Sequence, residues 1–351
     1  MSVSEQKPRL AITMGDAAGV GPEVIVKAWS DSRIHEAADL VVLGHPEVLR
    51  EAVALFGAQL QVKPADNVTT AVSPESTIPC LSVGNDDILE VPHGQVDGRT
   101  GHAAYEAVIR AIDDTKAGLF DGIVTAPMSK AALHAAGHFY PGHTELLAER
   151  CGVDDFAMML YLPPHELPNS RAGLGVAHVT LHMALRDVFA NLNGDAILEK
   201  CRLAHRVMSI GFGLAAPRIG VCALNPHGGE RGLFGDEESR IIVPAVERAR
   251  AEGIDAQGPF PTDTLMVRAR DGEFDGIVAM YHDQGHIALK LLGMHRAVNI
   301  TLGLPIVRTS VAHGTAFDRA WQGTAESTGM VAAITTAAEL AKRRYCSSIS
   351  S

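Results

Sequence analysis

Five short apolar runs constrain this chain more than anything else in it: Leu10-Ala11-Ile12-Thr13-Met14, Leu40-Val41-Val42-Leu43, Gly122-Ile123-Val124, Val176-Ala177-His178-Val179-Thr180-Leu181 and Gly276-Ile277-Val278-Ala279-Met280. Each has the length of a strand, most are continuous rather than alternating in hydrophobicity, and each empties into glycines or polar side chains. Strands buried on both faces read this way, and a parallel sheet covered by helices on either side is what buries them. Amphipathic or helix-length stretches lie between the runs, at Pro46 to Phe56, Gly101 to Lys116, Asp195 to Ile210 and Asp236 to Glu252. The expected class is therefore α/β. Residues 58 to 100 look less regular, with one short strand near Ile78 to Val83. The sequence Phe120-Asp121-Gly122-Ile123-Val124 recurs as Phe274-Asp275-Gly276-Ile277-Val278, which predicts the same turn feeding two buried strands.

Bulk properties narrow the partners. The 351 residues, 46% of them hydrophobic, suffice for two domains with sizeable cores. A formal charge of −11 with no basic block beyond Lys342-Arg343-Arg344 disfavours nucleic acid and anionic membranes. Five cysteines without a C-x-x-C pair point away from a disulfide framework or thiolate zinc site and towards a reducing cytoplasm. The polar opening, Met1 to Pro8, does not resemble a signal peptide, and no apolar stretch approaches membrane-spanning length.

Chemistry concentrates where strands end. The run closing at Met280 leads into Tyr281-His282-Asp283-Gln284-Gly285-His286 and on to Lys290, Asn299 and Arg308, a mixture suited to an anionic, oxygenated ligand. Gly15, Asp16, Gly19 and Gly21 follow the first strand in a spacing that is neither G-x-G-x-x-G nor a Walker loop, so an anion-binding turn and a tight structural turn are both open. His143-Thr144 opens a helix, where the pair suits capping as well as ligand contact. Pro163 to Gly173 is a Pro-rich loop. His182, His227 and His282 each sit just beyond an apolar strand. Because parallel strands end on one edge, these imidazoles are candidates to converge on a divalent ion such as Zn²⁺ or Co²⁺, leaving positions open for substrate oxygens.

Taken together, Thr13-Met14-Gly15-Asp16 with Gly19-Val20-Gly21-Pro22-Glu23, Gly142-His143-Thr144-Glu145, Asn225-Pro226-His227, Met280-Tyr281-His282-Asp283-Gln284-Gly285, Asn299-Ile300-Thr301 and Arg308-Thr309-Ser310 with His313-Gly314-Thr315 resemble the 4-hydroxythreonine-4-phosphate dehydrogenase family. The motifs occur in order from about residue 9 to 340, and the glycine-rich opening also resembles isopropylmalate and isocitrate dehydrogenases. The resemblance implies two α/β/α domains, 8–135 with 298–345 and 136–297, in a homodimer with a shared active site, with NAD (or NADP) bound outside a Rossmann fingerprint. It implies His182, His227 and His282 as ligands of Zn, Co or Mg, one of them donated across the dimer. His143, Thr144, Lys290, Asn299 and Arg308 are then the substrate-binding residues, and Lys290 and Asp263 the catalytic ones. Gly15, Asp16, Gly19 and Gly21 are candidates for cofactor binding.

The implied reaction is metal-dependent oxidation and decarboxylation of a 4-phosphorylated 3-hydroxy acid. Ala17 and Ala312 depart from the family's usual Pro and Asp, the 163–175 loop looks longer, and Leu181 stands where a small hydroxyl residue is common. Leu233-Phe234-Gly235-Asp236-Glu237-Glu238 and Gly285-His286 resemble the branch acting on 4-phosphorylated threonate or erythronate. The competing readings are a cis-dihydrodiol dehydrogenase for an aromatic carboxylate and a non-catalytic protein that binds phosphorylated metabolites.

Overall fold

A computed structural model describes residues 6–71, 73–343 and 345–348; the start of the polar opening and Arg344 of the basic triplet lie outside them. The chain forms two compact units, Met1–Asp154 with Leu304–Ser351 and Asp155–Gly303. In the first unit are strands β1 (Arg9–Thr13), β2 (Asp39–Gly44), β3 (Gln61–Ala65), β4 (Thr77–Ser82) and β5 (Gly122–Thr125). The second holds β6 (Ala157–Leu162), β7 (Leu174–His178), β8 (Arg218–Cys222), β9 (Asp255–Phe260), β10 (Gly276–Ala279) and β11 (Val298–Leu302), and β12 (Val307–Val311) returns to the first.

Within the first unit the strand order is β3-β4-β2-β1-β5-β12, parallel throughout. Leu10, Ala11 and Ile12 of β1 are wholly buried although successive side chains point to opposite faces, so both faces are covered. Helices Gly98–Lys116 and Thr328–Lys342 pack onto the central strands. The first of these starts where Asp97 accepts from the Arg99 N–H, and it buries Ala104, Val108, Ala111 and Ile112 on one face. In the second unit the order is β11-β6-β7-β10-β8-β9, with β6 antiparallel to both β11 and β7 and the rest parallel.

The repeated five-residue motif does the same work in each unit. It opens β5 and β10, and its aspartate accepts a backbone N–H from the start of the neighbouring strand: Arg9 to Asp121 at 2.7 Å, Arg218 to Asp275 at 2.8 Å. Asp275 also holds the side chains of Arg171 and Arg218, which ties the 163–173 loop to the foot of β10.

Both unit boundaries fall later in the chain than the resemblance implied. Helix His143–Cys151 stays with the first unit, where Arg150 pairs with Asp113 at 2.6 Å, and β11 stays with the second because it pairs with β6 along its whole length. Other departures have local reasons. Strands β3 and β9 are edge strands of mixed polarity (QVKPA and DAQGPF), so hydrophobicity did not mark them. The stretch read as one helix from Asp236 instead makes a wide turn over Glu238–Ile242 before helix Val243–Ala251, with Pro244 at its start.

Candidate functional site

Register places two of the predicted histidines together. His178 at the end of β7 lies opposite Ala279 of β10. The two chains stay paired beyond their strands, Val179 donating to Ala279 O at 2.9 Å and Thr180 Oγ1 to Met280 O at 2.8 Å. A few residues further on, His182 and His282 come within one register position of each other, with ring centroids 5.9 Å apart. They border a cavity of about 520 Å³ together with Leu181, Met183, Leu185 and Tyr281.

His282 begins helix His282–Gly293, and its Nδ1 lies 2.6 Å from Asp283 Oδ1. An ionised carboxylate only accepts, so Nδ1 carries the proton and a neutral ring leaves Nε2 with its lone pair. Gln284 fixes the same turn by accepting from Met280 N and donating to Ala223 O, both at 2.7 Å. Sequence reading assigned no role to Asp283 or Gln284; a carboxylate directly after a candidate ligand was the available signal.

Two further histidines lie behind this pair: His286, which the sequence places in the polar stretch after Met280, and His178, which carried no site role. His286 stacks on His282 with centroids 3.8 Å apart and planes 12° from parallel, and its Nδ1 is 3.1 Å from His178 Nε2. His178 Nδ1 faces Met158 O at 3.2 Å. Burial pushes His178 down to about 4, and burial followed by the charges around it, His178 first, pushes His286 down to about 3.

His227 does not join them. By the β8–β10 register, residue 225 is level with His282, and Asn225 is held there by the buried Glu238, which accepts from Leu224 N at 2.9 Å and Asn225 N at 2.7 Å. The backbone then runs through five successive left-handed residues, His227 to Arg231, and the His227 ring lies against Phe234 at 6.4 Å. Among the described residues of one chain, no three His, Cys, Asp or Glu side chains form a group able to hold a metal ion. One chain thus assembles two of the three expected ligands.

The remaining second-unit candidates occupy different places. Lys290 follows His286 by one helical turn, and its charge bears on that ring. Asn299 sits in β11 opposite Leu160, a strand position that the sequence reading did not recognise. Asp263 is exposed at the start of helix Thr262–Arg270, where its Oδ1 accepts from the Thr264 N–H at 2.8 Å.

The first unit gathers an anion-seeking group. Arg308, the second residue of β12, is buried and donates from Nη2 to Thr125 Oγ1 at 2.6 Å; burial lowers it to about 9. His143 and Thr144 are the first two residues of helix His143–Cys151, whose cap is Gly142, so they do not cap it through their side chains. The His143 Nε2 atom is buried without a hydrogen-bond partner. Burial, then the charges of Arg308 and Lys130, hold the ring well below its ordinary pKa. A neutral imidazole, two cations and helix N–H groups suit a phosphate or carboxylate.

The glycines expected to cradle a cofactor are occupied by the protein itself. A Cβ at Gly15 would lie 2.3 Å from Pro127 O, at Gly21 2.3 Å from Met14 O, and at Gly19 3.1 Å from Thr315. Asp16 accepts from Ala18 N at 3.0 Å, and burial raises it to about 6. The 312–323 loop clamps this turn: Trp321 Nε1 donates to Ala17 O, and the buried Glu23 accepts from Trp321 N and Gly323 N. Close packing accounts for the three glycines, while Asp16 is a buried carboxylate held by the Ala18 N–H.

Two α/β units with mainly parallel sheets, loaded with polar groups at their strand ends, define the dehydrogenase fold of the isocitrate and isopropylmalate type. Within that class the chain belongs to the PdxA family, whose model, described as "Pyridoxal phosphate biosynthetic protein PdxA", matches residues 36–337. A D-threonate 4-phosphate dehydrogenase of Cupriavidus necator is 44% identical over 97% of this chain and 100% of its own length. The crystal structure of a 4-hydroxythreonine-4-phosphate dehydrogenase from Klebsiella pneumoniae superposes with a TM-score of 0.84 at 42% identity, covering 95% of this chain and 100% of that one. A terephthalate 1,2-cis-dihydrodiol dehydrogenase from Burkholderia xenovorans is more distant, with a TM-score of 0.63 at 27% identity over 94% and 98% of the two chains.

Proposed function

We propose that this protein is an NAD-dependent, divalent-metal-dependent oxidoreductase that oxidises the secondary alcohol of a 4-phosphorylated 3-hydroxy acid, with loss of CO₂ from the keto acid formed. The substrate is of the 4-phospho-D-threonate, 4-phospho-D-erythronate or 4-phosphohydroxy-L-threonine type. The observation that carries this reading is the His182–His282 pair, with Asp283 setting the tautomer that leaves a lone pair on His282 Nε2. The names of the close relatives support the substrate class. The dihydrodiol dehydrogenase is less similar in identity and TM-score, which favours the phosphorylated acids over that alternative.

The donor set fits a divalent ion in part: His182 and His282 would hold it, and His227 of a second copy would complete three imidazoles. Exposed apolar side chains, such as Leu185 at 64% in the cavity that the pair borders and Leu291 at 82% on the helix that His282 begins, support a homodimer. Such an ion would supply the Lewis acidity that lowers the pKa of an alcohol oxygen, and NAD would supply the hydride acceptor. His143, Thr144 and Arg308 bind an anionic group of the substrate through donors already desolvated by the fold. Lys290 keeps a positive charge near the imidazoles, where it stabilises the enolate left when CO₂ departs. Asn299 contributes an amide for substrate oxygens.

The test is a panel of the three phosphorylated acids with purified protein, NAD and Mn²⁺, Co²⁺ or Zn²⁺, read by NADH absorbance. Turnover of at least one acid, abolished by chelation, is expected; silence across the panel with metal bound overturns the reading. His282→Ala should cut turnover by more than about 100-fold, beyond what loss of an outer partner of a ligand costs, while leaving the thermal midpoint in place.

A further inference from the structure

We propose that His178 and His286 form a tautomer-locked pair that positions the His282 ring, making His286 a positioning residue for the site. This rests on the reading of His282 as a functional side chain.

The lock follows from which atoms are able to donate. Met158 O only accepts, so His178 Nδ1, 3.2 Å away, carries a hydrogen. If His178 is neutral, its Nε2 is an acceptor, and His286 Nδ1, 3.1 Å from it, must be the donor. The opposite arrangement requires a cation at His178, whose side chain has no solvent exposure at all, and an imidazolium is disfavoured there. Both rings therefore hold their hydrogen on Nδ1, and neither turns over without breaking a buried hydrogen bond.

The packing shows that this approach is built in. Gly285 precedes His286, and a Cβ there would stand 2.6 Å from His178 Nε2, so the helix comes this close to the ring only at a residue with no side chain. His286 in turn lies flat on His282, 3.8 Å between centroids. Asp283 fixes one edge of the His282 ring and His286 fixes its face. With edge and face both held, Nε2 keeps a single direction. An aliphatic side chain at 286 could fill the space but could not be pinned by His178.

Nuclear magnetic resonance of protein carrying ¹⁵N-histidine reads the ring tautomers directly, without metal or substrate. His178 and His286 are expected as Nδ1–H forms at neutral pH; a His286 with its hydrogen on Nε2 overturns the proposal. Two variants separate the parts of the lock. His286→Asn keeps a donor near the Nδ1 position and loses the stacked ring, whereas His286→Phe keeps the ring and loses the donor. In each, the His282 ring is expected to lose its single orientation, read as broadened or split His282 ring resonances, and kcat to fall by roughly 10- to 100-fold with little change in KM. Folded variants that keep one sharp set of His282 ring resonances and the wild-type kcat overturn the positioning role. Should the wild-type protein turn over none of the phosphorylated acids, the functional reading fails instead, and the tautomer spectra still decide the lock.

Discussion

Two glycine-rich loops, each following a parallel strand, show opposite uses of the same composition. The loop after β1, Gly15 to Glu23, spends its glycines on close backbone approaches and has one left-handed residue, Gly15. The loop after β8 has left-handed backbone from His227 to Arg231, three of those five residues carrying side chains. Both are anchored by one buried glutamate that accepts two backbone N–H groups, Glu23 in the first and Glu238 in the second. The anchor is shared; the difference is that the first loop is packed and the second is strained. Strain at non-glycine residues persists where surrounding structure enforces it and is concentrated at functional segments, so the second loop, with His227 in it, is the one to read as functional.

The largest effect that tests this contrast is Gly21→Ala. Its Cβ meets Met14 O, a backbone atom that cannot swing aside, and destabilisation at or beyond the top of the roughly 1–3 kcal/mol overpacking range is expected in urea unfolding. A near-neutral result would mean the first loop is not packed as described. Glu23→Ala and Glu238→Ala come next, each leaving two backbone donors without their acceptor, at the low end of about 1–3 kcal/mol per donor because all four bonds are only part-buried. Similar losses in stability with a loss of metal affinity confined to Glu238→Ala would sharpen the comparison, and equal effects on both properties would erase it.

A smaller effect concerns Asp16. Its pKa is raised in the folded state to about 6 from 3.8, so the folded protein binds this proton more tightly than the unfolded chain. Stability therefore rises as pH falls through 6, by about 1 kcal/mol between pH 7 and 5, and levels off below the unfolded value. Asp16→Asn should flatten that segment of the pH profile; an unchanged slope would show that Asp16 is not its source. The smallest effects belong to Glu230→Gly and Arg231→Gly. Relief of a left-handed φ, about 1–2 kcal/mol, is offset by glycine's chain entropy of about 0.5–1 kcal/mol, so net stabilisation up to about 1 kcal/mol is expected. A marked loss of stability would mean these side chains make contacts that outweigh the strain.

What could be read in advance follows the same division. Strands whose two faces are buried announced themselves, and the shared edge of parallel strands brought His182 to His282 from 100 residues apart. Strands β11 and β12 were passed over because Asn299, Thr301, Arg308, Thr309 and Ser310 look like loop chemistry, although the sheet holds them. Arg308 was singled out for its charge, yet nothing in Val307-Arg308-Thr309 says that the guanidinium is buried. The His227 position depends on a left-handed excursion, and Asn-Pro-His-Gly-Gly signals a turn without its hand or length. Asp283 and His286 were in plain view, but their roles depend on which nitrogen each ring offers.

The discontinuity of the first unit carries a consequence for biogenesis. Residues 155–303 are contiguous and leave the ribosome before the first unit has β12 or helix Thr328–Lys342, which pack directly against β5. Glu23, synthesised almost at the outset, waits some three hundred residues for the N–H groups of Trp321 and Gly323. An unfinished nascent chain thus exposes the flank of β5 as an open edge throughout translation of the second unit. A holdase that shields strand edges is the kind of helper this order of synthesis favours.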